Sequence, residues 1–145
     1  MNLRPIQYSS TDYHAEYQLR QQVLREPLGL NLADENLEPE KEQQHFGLFD
    51  DGGGLLACVI AAQLSSTQVK LRQMAVATAH QRQGLGRTLL SGVEAMLQAR
   101  GVTIIILHAR LSAVGFYRRL GYASHGKSFI EIGLPHVEMR KQLPG

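Results

Sequence analysis

The chain predicts an α/β fold, a mixed sheet of six or seven strands with helices on both faces. Three observations carry that expectation. Short apolar, strand-like runs alternate with stretches of helical periodicity along most of the length. The segment VTIIIL, residues 102–107, is β-branched and unrelieved by polar residues, as a strand covered on both faces should be. Between it and the earlier apolar run at residues 69–76 lie a glycine stretch and a helical segment. That order makes a β-α-β unit and a parallel strand pair.

Each element has its own signal. Residues 3–7 read as a short first strand. Thr11 or Asp12 caps a helix over about residues 13–25, with Tyr13, Tyr17, Val23 and Leu24 as its buried side. Pro27 and Gly29 stop it. Residues 30–44 are polar and read as a mobile loop or a short second helix. Residues 45–49, the turn DDGGG and residues 55–64 form a hairpin. Ser65 and Ser66 turn the chain into the strand 69–76. From Gly84 onward Leu85, Leu89, Val93, Met96 and Leu97 recur at helical spacing up to Gly101. SAVGFYRRL is a second short helix ended by Gly121. The tail, residues 129–143, holds two strand-like pieces broken by Gly133 and Pro135.

Length and composition set bounds. With 145 residues, 43% of them hydrophobic, the chain suits one domain, residues 1–145, around one core. A formal net charge of +2, without a basic run, argues against nucleic acid as a partner. The one cysteine, Cys58, sits in an apolar run and reads as a buried structural thiol. The first residues lack a signal-peptide core and no run reaches membrane-spanning length, so a cytoplasmic protein is expected. The six histidines show no ligand spacing, and no metal is expected.

The stretch HQRQGLGRTLL, residues 80–90, carries the chemistry. It joins a strand to a helix, where the helix's first N–H groups lack intrahelical partners and carry partial positive charge. Glycines there let a ligand approach the backbone, and a phosphate or pyrophosphate is the natural occupant. Two phosphate motifs fail the comparison. The nucleotide P-loop needs Lys followed by Ser or Thr, and here Arg87 and Thr88 stand instead. The dinucleotide fingerprint needs a third glycine, and here that position is Leu89.

What matches is Q/R-x-x-G-x-G/A, as Gln81-Arg82-Gln83-Gly84-Leu85-Gly86. This resembles the acyl-CoA-binding loop of the GNAT family of N-acetyltransferases. ARLSAVGFYRRLGY, residues 109–122, is similar to the family's other segment, and FIEIGLPHVEMRK to the E-x-G-[IL]-P-H tail of a bacterial subgroup. The resemblance covers about residues 45–143. It implies the GNAT fold, with the parallel strands 69–76 and 102–107 splaying apart below Gly84 to make a cofactor cleft, and transfer of an acetyl group from acetyl-CoA to a primary amine of a small molecule or peptide. Loop residues Gln81, Arg82, Gln83, Gly84, Leu85, Gly86, Arg87 and Thr88 would hold the cofactor's pyrophosphate. Met74, Ala75 and Val76 would pair with its pantetheine arm and polarise the thioester carbonyl, and Phe116 would lie against it. Tyr117 would be the general acid to the departing thiolate. Many members carry Asn where this chain has Arg110; either that contact is lost or Arg110 reaches a phosphate. For the base, Glu131 and His136 of the tail are favoured over His108 and His45, and a reaction without a side-chain base is the rival.

The acceptor pocket would be built by residues 20–45 and the tail. Arg25, and Arg20 before it on the first helix, would suit an amine that also bears a carboxylate or phosphate. The acids Glu35, Glu38, Glu40 and Glu42 would instead select a polyamine or an aminoglycoside. A homodimer is compatible with this reading. The alternative is a non-catalytic acyl-CoA-binding module of the same fold. A nucleic-acid site through Arg82, Arg87, Arg118 and Arg119 is disfavoured by the low net charge.

Overall fold

The computed structural model describes residues 1–144. Seven strands form one sheet: β1 (Asn2–Ile6), β2 (Gln44–Phe49), β3 (Leu55–Gln63), β4 (Gln68–Val76), β5 (Ile104–Arg110), β6 (Ala123–Glu131) and β7 (Leu134–Gln142). Their order across the sheet is β1-β2-β3-β4-β5-β7-β6. Every neighbouring pair is antiparallel except β4 and β5.

Helix α2 (Leu85–Ala99) covers one face, because Leu85, Leu89, Leu90, Val93 and Leu97 recur on one side of it. They close the main core over Val59, Val69, Leu71, Ile105, Leu107 and Met139. A fully buried leucine such as Leu89 contributes about 1.5–3 kcal/mol. Helix α3 (Val114–Arg119) extends this face. The other face carries α1 (Thr11–Arg20), which packs on β3 and β4 through Leu19, Cys58 and Ala75. The Cys58 thiol is fully buried, and burial pushes its pKa up. No helix among the described residues is long and apolar enough to cross a membrane.

The structure corrects several expectations. The N-cap of α1 is Ser10, not Thr11 or Asp12: its Oγ accepts from the Tyr13 N–H at 3.1 Å. The fully buried positions of α1 are Glu16, Leu19 and Arg20, whereas Tyr13, Tyr17, Val23 and Leu24 are half-buried. The chain then tightens into a π-helical turn, Gln21–Arg25. Residues 30–44 hold two short 3₁₀ turns, Leu32–Asp34 and Glu38–Glu42, anchored by the buried Leu32 and Glu40. Strand β5 runs on to Arg110, so His108 and Arg110 lie inside it. Pro135 sits within β7, and β6 begins six residues before Phe129, at Ala123. The turn between them is Ile132-Gly133, with φ of 46° and 77°, the two left-handed positions of a tight hairpin.

The expected splay is present. β4 and β5 pair only from Gln68–Ile104 to Leu71–Leu107, and beyond that both strands continue without each other. A bulge helps to part them. The β3–β4 register shifts between Cys58 and Ile60, where Gln73 takes a φ of 58°. Such a bulge bends its strand and increases its twist.

Candidate active site

A cleft of about 510 Å³ occupies the split. Strand alternation fills it from one face. Lys70 pairs with Ile106, so Lys70 and Arg72 of β4 share a face with His108 and Arg110 of β5. In β7, Glu138 pairs with His108 and His136 with Arg110, which adds two more polar residues to that face. The π-helical turn brings Val23, Leu24 and Arg25 to the cleft, and α3 brings Phe116 and Tyr117.

The tail hairpin gathers the titratable groups. His108 Nδ1 is 3.0 Å from Glu131 Oε1, and His136 Nε2 is 3.7 Å from Glu131 Oε2. His136 is buried, and its Nδ1–H donates to the Leu134 carbonyl at 2.8 Å. Burial raises the Glu131 carboxyl, but the His108 hydrogen bond and the charges of His108, His136 and Lys70 outweigh it and hold the pKa below the ordinary value. In the neutral ring, an Nδ1–H donated to Glu131 leaves Nε2 as an acceptor, with Glu138 Oε1 4.0 Å away. The β-branched Ile132, at its left-handed φ, also lines the cleft.

Tyr117 is half-buried, with its ring edge-on to Phe116 (5.1 Å) and to Tyr122 (5.8 Å). Burial pushes its phenol up to about 12, so it is protonated at neutral pH.

Helix α2 begins at Gly84, whose φ of 77° is the left-handed conformation that favours glycine. No side chain caps this terminus. Gly86 has a different reason. A Cβ there would stand 3.2 Å from the Phe116 ring and 3.7 Å from Met74 Cε, so Gly86 lets α2 pack close to α3 and β4. Gly84 faces open space and Gly86 faces the core; the sequence reading had given both to the ligand.

Of the expected site residues, Met74, Arg110, Phe116, Tyr117, Glu131, His136 and Arg25 all line the cleft. Ala75 and Val76 continue β4 beyond it, and Gln81, Arg82, Gln83 and Arg87 are exposed on the approach to α2 and its first turn. Thr88 is turned back on the helix, its Oγ1 donating to the Gly84 carbonyl at 3.0 Å. Gln81 likewise bonds the Val76 carbonyl at 3.2 Å. Arg25 reaches the cleft as expected, but its guanidinium fork holds Glu35 at 2.6 and 3.2 Å. Arg110 donates to the Leu24 carbonyl at 3.2 Å, which places it against the end of the first helical segment. Arg20 and Glu40 are internal and paired to each other. His45 is internal too, bonded to Glu16. Sequence reading missed Lys70, Arg72 and Ile132. The alternation V-K-L-R in residues 69–72 was the available signal for the first two, since it leaves both cations on the face away from the main core.

By its split sheet and helix arrangement the protein has the GNAT fold. The acetyltransferase (GNAT) domain profile matches residues 15–143. The uncharacterized protein YyaT of Bacillus subtilis (strain 168) is 30% identical over 150 aligned residues, which cover 99% of this chain and 97% of YyaT. A crystal structure of a candidate N-acetyltransferase from Lactobacillus plantarum matches with a TM-score of 0.88 at 25% identity, covering 99% of this chain and 100% of that one. An aminoglycoside 6'-N-acetyltransferase complexed with coenzyme A shares the fold, with a TM-score of 0.81 at 16% identity over 100% of this chain and 99% of its own. The chain belongs to the GNAT acetyltransferase family.

Proposed function

We propose that the protein transfers an acetyl group from acetyl-CoA to a primary amine of a small molecule, with Tyr117 as general acid. The observation that carries the reading is a protonated phenol in the same cleft as an imidazole–carboxylate pair, in a chain of this family. The residues present fit the cofactor. The uncapped N-terminus of α2 offers N–H groups beside Gly84, where nothing lies within 4 Å of the Cβ position. The unpaired edge of β4 past Leu71 suits an amide-bearing arm. Acetyl-CoA, when bound, supplies an activated acyl carbonyl and a thiolate leaving group. The likeness to a protein complexed with coenzyme A supports this choice.

His108 is better placed as base than Glu131 or His136. Glu131, held below its ordinary pKa, is a poor proton acceptor and a good partner for His108 Nδ1. Nε2 would first take one proton from the ammonium and free the amine to attack. As the C–N bond forms and the C–S bond breaks, Tyr117 would give a proton to the sulfur and regain one from the nitrogen, so the thiol leaves and the net proton stays on His108. His108→Gln is expected to lower kcat/KM by about 10²- to 10⁴-fold. An unchanged kcat/KM would return the base role to water or to the tail.

Gly86→Val tests the cofactor end through packing. The added side chain meets Phe116 and Met74 and not the ligand, so the first turn of α2 must shift. The substitution should therefore reduce acetyl-CoA affinity at least tenfold by calorimetry. It should also cost about 1–3 kcal/mol of stability, because the side chain meets Phe116. Undiminished affinity would remove this loop from the cofactor site. The overall test is thiol release from acetyl-CoA across a panel of primary amines. Release with none of them, alongside intact acetyl-CoA binding, would favour a binding module instead.

A further inference from the structure

The charges that line the cleft are unequally satisfied. Four cationic side chains, Arg25, Lys70, Arg72 and Arg110, share it with two carboxylates, Glu35 and Glu131. Both carboxylates are engaged: Glu35 receives the Arg25 fork and Glu131 receives His108. Among the described residues, Lys70, Arg72 and Arg110 have no carboxylate partner. Arg110 has the Leu24 carbonyl and Arg72 has the Gln43 side-chain oxygen at 2.7 Å. All three stand on one face of the sheet, on the two strands that part. Resting on the amine-acetylation reading above, we propose that the acceptor carries an anionic group, carboxylate or phosphate, beside its amine, and that Lys70, Arg72 and Arg110 hold that group.

Cations gathered without counterions in a half-buried site are costly, and a bound anion removes the cost. Lys70 and Arg110 show the strain: burial, then the neighbouring Arg72 and Arg25 respectively, lower their pKa values, against which Glu131 and Glu138 only partly support Lys70. The planar fork of an arginine suits two oxygens of one carboxylate or phosphate. The opposite reading, an acidic stretch selecting a polycation, has lost its acids. Glu40 is internal, Glu35 is paired with Arg25, Glu38 is exposed and paired with Lys41, and Glu42 is exposed and does not line the cleft.

Matched acceptors provide the test: β-alanine against its amide, O-phosphoethanolamine against ethanolamine, and spermidine as the polycation. At saturating acetyl-CoA, one anionic amine should exceed its neutral partner in kcat/KM by about ten- to a hundredfold, the worth of charge-assisted hydrogen bonds. Which pair responds tells carboxylate from phosphate. Arg72→Gln and Lys70→Ala should each erode that ratio while leaving acetyl-CoA affinity unchanged, and Arg110→Gln should erode it by more than it weakens acetyl-CoA binding. Preference for spermidine or for the neutral amines would overturn the proposal, as would a loss confined to acetyl-CoA affinity. A second readout separates it from the amine-transfer reading: calorimetry of the coenzyme A-loaded protein with N-acetyl-β-alanine, N-acetyl-O-phosphoethanolamine and N-acetyl-β-alaninamide. Arg110-dependent binding of one of the two anions, with no amine turned over, would sustain the anion site and sink the transferase. Turnover without anion preference would do the reverse. Binding of neither anion and no preference would end the proposal.

Discussion

Tyr117→Phe is expected to lower turnover about ten- to a thousandfold while acetyl-CoA affinity stays within about twofold. The variant keeps the ring that packs edge-on against Phe116 and Tyr122. Among the described residues nothing hydrogen-bonds the phenol, so little stability should go with the hydroxyl. Only the proton donor is removed. Because burial keeps the phenol protonated up to about pH 12, the wild-type protein should not lose this acid at ordinary pH. Steady-state kinetics beside calorimetry decide the matter. Equal turnover would make Tyr117 a packing residue, and a parallel fall in Tm would point the same way.

Arg20→Met is expected to cost about 3–5 kcal/mol, the usual effect of removing one partner from a buried ionic group. Arg20 and Glu16 are 0% exposed, Glu40 1% and His45 2%. Arg20 donates to Glu16 at 3.1 Å and to both Glu40 oxygens at 2.9 and 2.6 Å. His45 Nδ1 lies 2.9 Å from Glu16 and its Nε2 lies 2.9 Å from the Glu40 carbonyl. Two acceptors on two ring nitrogens call for the doubly protonated imidazolium, which balances the two carboxylates together with Arg20. Burial lowers the His45 pKa, but Glu16 and Glu40 outweigh it and raise the net value. Its stabilisation is therefore complete below about pH 6.5 and is lost as pH rises through the folded value. Glu40 bounds the other side. Burial raises its carboxyl, Arg20 more than offsets this, and its contribution is lost as pH falls through the depressed folded value. Denaturant titrations across pH should show both limbs in the wild-type protein and, in Arg20→Met, loss of the acid limb that Arg20 gives Glu40, with the His45 limb kept. A variant as stable as the wild type would show that the quartet is replaceable by apolar packing.

This quartet also marks where sequence reasoning stopped. The hairpin β2–β3 and helix α2 were readable, because each rests on local periodicity or turn chemistry; the parting of β4 from β5 was implied by the family resemblance alone. The inner face of α1 was not. Glu16 and Arg20 have helical spacing but look like a solvated pair, and their partners Glu40 and His45 lie 20 and 29 residues away. Nothing local announces such a pairing. The first half of β6 was missed for the opposite reason: residues 123–128 are exposed, so no alternation marks them. In the site, the tail hairpin was legible through Glu131 and His136. The pairing of Glu131 with His108 needed the β7–β5 register, and the capture of Arg25 by Glu35 needed the fold of the polar segment between them.

The parting of β4 and β5 leaves two sheet edges facing each other inside the molecule. On an outer strand, a row of unmet N–H and C=O groups invites other chains to add on. Here the rows lie between the first helical segment and α3, so a slender ligand, not a neighbour's strand, is what can meet them. Just past the point where they part, β4 carries the bulge at Gln73, and Gln73 Oε1 accepts from Arg20 Nε at 3.3 Å. The internal salt-bridged group is thus tied to the opening: a chain that repacked it and closed the sheet would be more regular and have no cleft.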